Sequence, residues 1–232
     1  MLDKELIRKK FQKSLTTYPE NAPIQQEIAL KLSGYIQGKY NKILEIGSYT
    51  GFLTKEAIKN TQFNSYLALD IVDSYEYIKH LSPKIKFLIA DIEETELNEK
   101  FDLIISSSSL QWCNDFKNVI KKLKSYLTPN GILAIAIFGK KNLYQIKETF
   151  DISLDYPDIL EVKKLFSDNA KIIEEIKTVQ FKTTKDLLRH LKYTGVNSLK
   201  INNSYSELKE KMRILENEYK NKLTYNPLYI ID

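Results

Sequence analysis

The chain has 232 residues, 43% of them hydrophobic, 28% charged and 11% aromatic, which excludes a disordered or fibrous protein and fits one elaborated domain. Thirty-five Lys and Arg against 30 Asp and Glu leave a formal charge of +5, too modest and too evenly spread to argue for nucleic-acid binding. One cysteine, Cys113, and two histidines, His80 and His190, exclude an intrachain disulfide, a cysteine metal cluster and a multi-histidine zinc site.

The first residues, Met1-Leu2-Asp3-Lys4-Glu5, are charged and lack the apolar core of a signal peptide. The longest apolar run, Ile132 to Phe138, falls far short of the ~20 residues a membrane span needs. A cytoplasmic protein is expected. Residues 1–40 read as helical, with Ile24, Ile28, Leu32 and Ile36 in an i, i+4 stripe, and Gly34 and Gly38 where that helix should fray and stop. A polar stretch broken by Pro19 and Pro23 separates the first helix from the second.

From residue 42 short apolar runs alternate with amphipathic segments. Ile43 to Ile46, Tyr66 to Leu69, Ile85 to Ile89, Phe101 to Ile105 and Ile132 to Phe138 read as five buried strands. Of the helices between them, Asn114 to Leu127 is clearest, and Pro129-Asn130-Gly131 reads as a turn into the fifth strand, which Gly139 ends. Such alternation implies right-handed crossovers and a mostly parallel sheet covered on both faces, an α/β doubly wound fold. Ala170 to Phe181 and Leu223 to Ile231 are candidate sixth and seventh strands. Helices are expected between them at Thr184 to Tyr193, closed by Gly195, and at Ser204 to Leu223. Without repeats or a low-complexity linker, residues 1–232 read as one domain. Residues 1–40 form a helical cap, 41–150 the core, 184–222 a helical insert or lid, and 223–232 the last strand.

Glycine makes up about 3% of the chain against a usual ~7%, so each one is informative. The segment Ile43-Leu44-Glu45-Ile46-Gly47-Ser48-Tyr49-Thr50-Gly51-Phe52 is a strand running into a glycine-bearing turn and then a helix, a geometry that brings backbone close to a ligand. A dinucleotide fingerprint fails, because Tyr49 and Phe52 stand where it needs glycine. The other ligand of such loops is S-adenosylmethionine, whose amine an acid at the strand end can hold, and Glu45 is so placed. Glu45, Gly47 and Gly51 match the acid-x-Gly-x-Gly-x-Gly motif of class I methyltransferases, which the chain resembles, with Tyr49 replacing the middle glycine.

Asp70 ends the second strand, where a carboxylate accepts hydrogen bonds from both ribose hydroxyls. Asp91 follows the third, where the resemblance implies contact with the adenine amino group. The resemblance also implies that Ser48, Ile71, Ile92 and Ser106 contact the cofactor. The competing reading of the three acids is solvated loop positions or helix caps. Substituting glycine for Tyr49 is expected to leave cofactor binding intact or to tighten it.

After the fourth strand the sequence is Ser106-Ser107-Ser108-Ser109-Leu110-Gln111-Trp112-Cys113, without the Asn/Asp-Pro-Pro-aromatic motif of nucleic-acid amino-methyltransferases. Ser109 to Cys113 resembles instead the signature of the malonyl-acyl-carrier-protein O-methyltransferases of biotin synthesis (the BioC family). Tyr18, Ala22 and Gln25 match that family's N-terminal segment, which closes over the cofactor, and Asp186 to Gly195 is similar to its insert helix. Leu223-Thr224-Tyr225 opens a similar last strand, whereas Pro19 and Tyr49 depart from the family.

The resemblance implies methyl transfer from S-adenosylmethionine to the free carboxylate of a malonyl thioester on acyl carrier protein, or on coenzyme A, by a monomer with no nucleic-acid or membrane partner. A carboxylate is ionised at pH 7, so no general base is required. Tyr18, Gln111 and Trp112 are the expected catalytic residues, and Arg189 and Lys192 the expected contacts to substrate or carrier, since Arg suits bidentate recognition of carboxylate or phosphate. Two alternatives stand: methylation of another small-molecule carboxylate, oxygen or carbon, and a non-catalytic cofactor- or partner-binding subunit.

Overall fold

A computed structural model describes residues 1–194 and 204–232. Three helices come first: α1 (Lys4–Ser14), α2 (Tyr18–Asn21) and α3 (Pro23–Ser33). The Asp3 carboxylate caps α1 by accepting from Leu6 N–H, and Pro23 starts α3, where a missing N–H costs nothing. The alternating core follows as β1 (Gly38–Ile46), α4 (Phe52–Asn60), β2 (Thr61–Asp70), α5 (Tyr75–Ile78), β3 (Ile85–Ile89), β4 (Phe101–Ser107), α6 (Phe116–Ser125) and β5 (Leu127–Phe138). The remainder is α7 (Tyr144–Phe150), α8 (Ile159–Lys163), β6 (Lys171–Glu174), β7 (Lys177–Gln180), α9 (Thr184–Tyr193), α10 (Tyr205–Asn217), β8 (Lys222–Tyr225) and β9 (Pro227–Ile231).

The main sheet has seven strands in the order β3-β2-β1-β4-β5-β9-β6. β1 pairs in parallel with β2 and β4, aligning Ile46 with Leu69 on one side and Ser106 on the other. β9 runs antiparallel between β5 and β6. The chain winds outward in opposite directions from β1 and β4, and the crevice at their carboxyl ends is where such sheets hold ligands. Alternate residues serve opposite layers. Ile43, Leu103 and Ile105 pack with Ile28, Leu32, Leu53 and Ala57 of α3 and α4. Leu44, Ile104 and Ile135 pack with Val119, Ile120 and Leu123 of α6 and Val162 of α8. At about 1.5–3 kcal/mol per buried large aliphatic side chain, this two-sided burial fixes the strand register.

The structure redraws five predicted boundaries. Gly38 opens β1 rather than ending a helix. Pro129-Asn130-Gly131 lies within β5, and a register shift opposite Phe101 and Leu103 absorbs the irregularity. The segment 170–181 is two strands, β6 on the main sheet and β7 paired with β8 in a separate ribbon. The last segment is likewise broken at Asn226, whose buried amide accepts from Lys141 N–H and donates to Glu174 and the Glu175 carbonyl. Leu223 belongs to β8 because α10 ends at Asn217 and the chain reverses through Lys220 and Asn221, both at positive φ. The proposed cap at Gly195 lies outside the described residues.

Candidate active site

The turn after β1 is built from backbone. Gly47 N–H donates to the Leu69 carbonyl at 2.7 Å, Gly51 N–H to the Ser48 carbonyl at 2.8 Å, and Tyr49 N–H to Asp70 Oδ2 at 2.8 Å. Gly47 and Gly51 have φ of 73° and 83°, where only glycine is unstrained. Space is as restrictive as conformation: a Cβ on Gly47 would lie 2.0 Å from Ser109 Oγ, and one on Gly51 2.7 Å from Ile78 Cγ2. Tyr49 occupies the same left-handed region at φ 40°.

Beside this turn lie two adjoining cavities that share Ile7, Gly47, Asp70, Ile71, Ser109 and Trp112. Lys4, Asp91, Ile92 and Cys113 extend the wall on one side, and Phe11, Tyr18, Tyr49, Ser107 and Ser108 on the other. The roof is α1. Lys4 pairs with Asp91 at 3.1 Å and with Glu93. Phe11 meets the edges of Tyr49 and Trp112 at 5.5 and 5.3 Å. Tyr18 stands edge-on to Tyr49 at 4.7 Å and stacks on Phe52 at 5.6 Å.

Asp70 is buried, and its carboxylate accepts from Tyr49 and Val72 N–H. Burial nevertheless outweighs those bonds and pushes its carboxyl up to about 6. Glu45 is pushed up to about 7 by burial, against hydrogen bonds from Thr54 and Tyr66. Burial keeps the Tyr18 and Tyr49 hydroxyls protonated and raises the Cys113 thiol to about 12. Burial also draws the Lys4 ammonium down, but Glu93 and Asp91 prevail and its net shift is upward.

The residues present suit S-adenosylmethionine, a cation with a carboxylate, a ribose and an adenine. The Ser48, Ser107 and Ser108 hydroxyls and Gln111 Oε1 are buried without a protein partner around the turn and the end of β4. Such groups are costly unless a polar ligand completes them. Asp70 and Asp91 set negative charge at the ends of successive strands, as a sulfonium and a ribose require.

Comparison with known proteins agrees. Residues 44–135 match the Methyltransferase domain family. The chain is 30% identical to a malonyl-[acyl-carrier protein] O-methyltransferase from Haemophilus influenzae, over 99% of this chain and 94% of that protein. It is 32% identical to one from Calditerrivibrio nitroreducens, over 95% and 93%. The chain belongs to the malonyl-[acyl-carrier protein] O-methyltransferase family.

Solved methyltransferases share its fold at low identity. A putative methyltransferase from Bacillus halodurans has a TM-score of 0.65 at 11% identity, covering 88% of this chain and 97% of that one. An N-methyltransferase from Bradyrhizobium japonicum, solved with S-adenosyl-L-homocysteine, has a TM-score of 0.57 at 14% identity, covering 97% and 96%.

Of the family positions expected from the sequence, Gly47, Asp70, Ile71, Asp91, Ile92, Tyr18 and Trp112 converge on the cavities. Five of the expected cofactor and catalytic residues do not line them. Glu45 lies beneath the turn, its Oε2 accepting from Thr54 Oγ1 at 2.7 Å and Tyr66 OH at 2.5 Å. Ser106 points between strands and donates to the Ile46 carbonyl at 2.9 Å, because the alternation of β4 turns it away. Gln111 donates to the Ser108 carbonyl at 2.7 Å, and Gly51 faces an outer groove between α3, α4 and α5. Ser48 is buried inside the turn.

Arg189 and Lys192 are on the exposed face of α9, Arg189 reaching Asp186 at 3.3 Å. His190, from the same helix, contacts Tyr225 OH at 2.6 Å and hydrogen-bonds the backbone of Asn21. Burial lowers its pKa, so a neutral imidazole ties α9 to the segment that carries Tyr18. Sequence reasoning missed Lys4, Ile7 and Phe11 of α1 as cavity residues. The spacing of Ile7, Phe11 and Ser14 on one helical face is the signal that marks them.

Proposed function

We propose that this chain transfers a methyl group from S-adenosylmethionine to the free carboxylate of a malonyl thioester on acyl carrier protein, giving the methyl ester that primes pimeloyl and biotin synthesis. The observation that carries this reading is the titratable set on the cavity walls. Cys113, Tyr18 and Tyr49 stay protonated at neutral pH, Asp91 is paired with Lys4, and Asp70 is held by backbone N–H groups. Among the described residues no histidine lines either cavity. The wall acids are already engaged by backbone N–H groups and by Lys4, so an acceptor that is itself an anion and gives up no proton suits the site.

S-adenosylmethionine supplies an electrophilic methyl group on a sulfonium. Gly47 and the backbone of the turn, Asp70 with the ribose hydroxyls, and Asp91 with Ile92 at the adenine would hold it. Ile71 and the Ser107 and Ser108 hydroxyls complete the contacts, while Glu45 contributes negative charge from beneath the turn. The chain's own part is positioning and exclusion of water. Phe11, Trp112, Tyr18 and Tyr49 enclose the cavity edge-to-face, which keeps solvent from opposite charges that must approach and cancel.

Arg189 and Lys192 are proposed to meet the acidic carrier, or the phosphate-bearing arm shared with coenzyme A. The protein is proposed to act as a cytoplasmic monomer without nucleic acid. No described helix is long and apolar enough to cross a membrane. The test is a single turnover with labelled S-adenosylmethionine and malonyl-acyl carrier protein. An alkali-labile product heavier by one methylene supports the reading. Transfer only to free small acids overturns the substrate, and absence of cofactor binding in calorimetry overturns the activity.

A further inference from the structure

We propose that Tyr49 is a positioning residue that latches α1 and Tyr18 onto the cofactor turn, so that release of the cofactor waits on its unlatching. The inference rests on the reading of the cavity as the S-adenosylmethionine site, and assigns a task to the one residue of the turn that departs from its motif.

Tyr49 holds a left-handed backbone at φ 40°, a conformation in which glycine is the unstrained residue. What the side chain gains there is reach. Its hydroxyl donates to the Phe11 carbonyl at 2.6 Å and lies 3.0 Å from Ser14 Oγ, both on the last turn of α1. Its ring meets Phe11 and Tyr18 edge-on, and its own N–H is fixed by Asp70. Phe11 continues the contact to Trp112 on the opposite wall. One residue thus joins the turn, the expected ribose-binding acid, the roof helix and the tyrosine of the segment expected to close over the cofactor.

The other end of α1 is held separately, by Lys4 on Asp91 and Glu93 and by Leu2 N–H on Asn114 Oδ1. Removing the Tyr49 hydroxyl therefore frees one end of the roof and leaves the other docked. A glycine in its place closes no such bond, so exchange through this edge of the cavity would be unguarded.

The test uses the full chain and its Tyr49→Phe and Tyr49→Gly variants. Hydrogen exchange of the α1 amides is measured without ligand. Release of S-adenosylhomocysteine is followed by the fluorescence of Trp112, the only tryptophan. Tyr49→Phe is expected to raise exchange across residues 11–14 and to speed both release and association about 3- to 10-fold, with affinity within about twofold of wild type. Tyr49→Gly, which also loses both ring contacts, is expected to release faster still. A purely structural role would lower thermal stability and weaken binding without speeding association. Wild-type exchange and release in Tyr49→Phe overturn the latch. If the wild-type chain does not bind S-adenosylhomocysteine, the cofactor reading fails, and the exchange arm alone decides whether Tyr49 holds α1.

Discussion

The Tyr66 hydroxyl donates to Glu45 Oε2 at 2.5 Å, so the first acid of the cofactor turn is clamped from below by a neighbouring strand. Both side chains are fully buried, and burial puts Glu45 at about 7 and Asp70 at about 6. In the unfolded chain such acids ionise near pH 4. The folded, unliganded protein thus binds more protons than the unfolded one across this window. Its stability from these groups is full below about pH 4 and drains away as pH rises through 6 and 7. The two acids interact, so their joint contribution is on the order of 3 kcal/mol rather than a simple sum.

Unfolding midpoints of the unliganded protein should fall between pH 5 and 8, and Glu45→Gln should flatten that slope. A cationic cofactor favours the ionised acids, so its affinity should rise over the same interval with release of protons. Calorimetry in buffers of different ionisation enthalpy reads this directly, and a pH-independent affinity would refute the assignment.

Gly47→Ala combines a disfavoured backbone with a methyl group 2.0 Å from Ser109 Oγ. Opening the turn by enough to fit it costs about 1–3 kcal/mol and moves the Gly47 and Tyr49 N–H groups off Leu69 and Asp70. Cofactor affinity is expected to drop about 10- to 100-fold, with the folded state retained by circular dichroism. Equal affinity in calorimetry would mean that the turn is not the cofactor cradle.

The parts of this architecture that sequence makes legible are those with strong periodicity or special backbone. Ile43 to Ile46 reads as a buried strand because both faces are covered, and Gly47 and Gly51 mark a turn because no other residue fits. Ile85 to Ile89 is a strand as expected but forms the sheet edge, where Ile85 is buried and Ile89 exposed, so its apolar run overstated its burial. Boundaries set by tertiary pairing were not legible. Nothing local in 170–181 says that Lys171 to Glu174 pairs with β9 while Lys177 to Gln180 pairs with β8. Asn226 breaks the last strand through bonds to residues 51 to 85 positions away. The site divides likewise. Asp70 and Asp91 follow from strand ends, but that Ser106 turns inward while Ser107 and Ser108 face the cavity depends on strand register. That Tyr49 touches Phe11 and Ser14 depends on where α1 docks, which no short-range pattern encodes.

Lys4 faces Asp91 and Glu93 with its ammonium largely shielded, and it holds the amino end of α1 over the cavity. Partly shielded pairs of this kind are worth about 1 kcal/mol and weaken with salt. Lys4→Met keeps the aliphatic stem and removes the charge. It should speed both association and release of S-adenosylhomocysteine about 3- to 5-fold, and added salt should do the same to the wild type but not to the variant. Stopped-flow traces over a salt series check this. A variant that retains the salt response would place the sensitive pair elsewhere.

Arg189 and Lys192 lie on the exposed face of α9, while Leu187 and Leu191 of the same helix are buried and His190 ties it to Tyr225. The helix is thus rigidly mounted, and its basic face is turned outward. Among the described residues Arg189 pairs with Asp186, an exposed neighbour on the same helix, and such a pair contributes little and yields readily to a stronger anion. An acidic carrier docking here would gain about 1 kcal/mol per charge at the rim, mainly in the rate of encounter.

Arg189→Ala should therefore raise KM for malonyl-acyl carrier protein about 5-fold, and with Lys192→Ala about 20-fold, while kcat and cofactor affinity stay unchanged. Steady-state assays with malonyl-coenzyme A locate the contact. A KM that rises only for the carrier places these charges on the protein surface of the partner, whereas an equal rise for both substrates places them on the shared phosphate-bearing arm. An unchanged KM for both removes α9 from the docking surface.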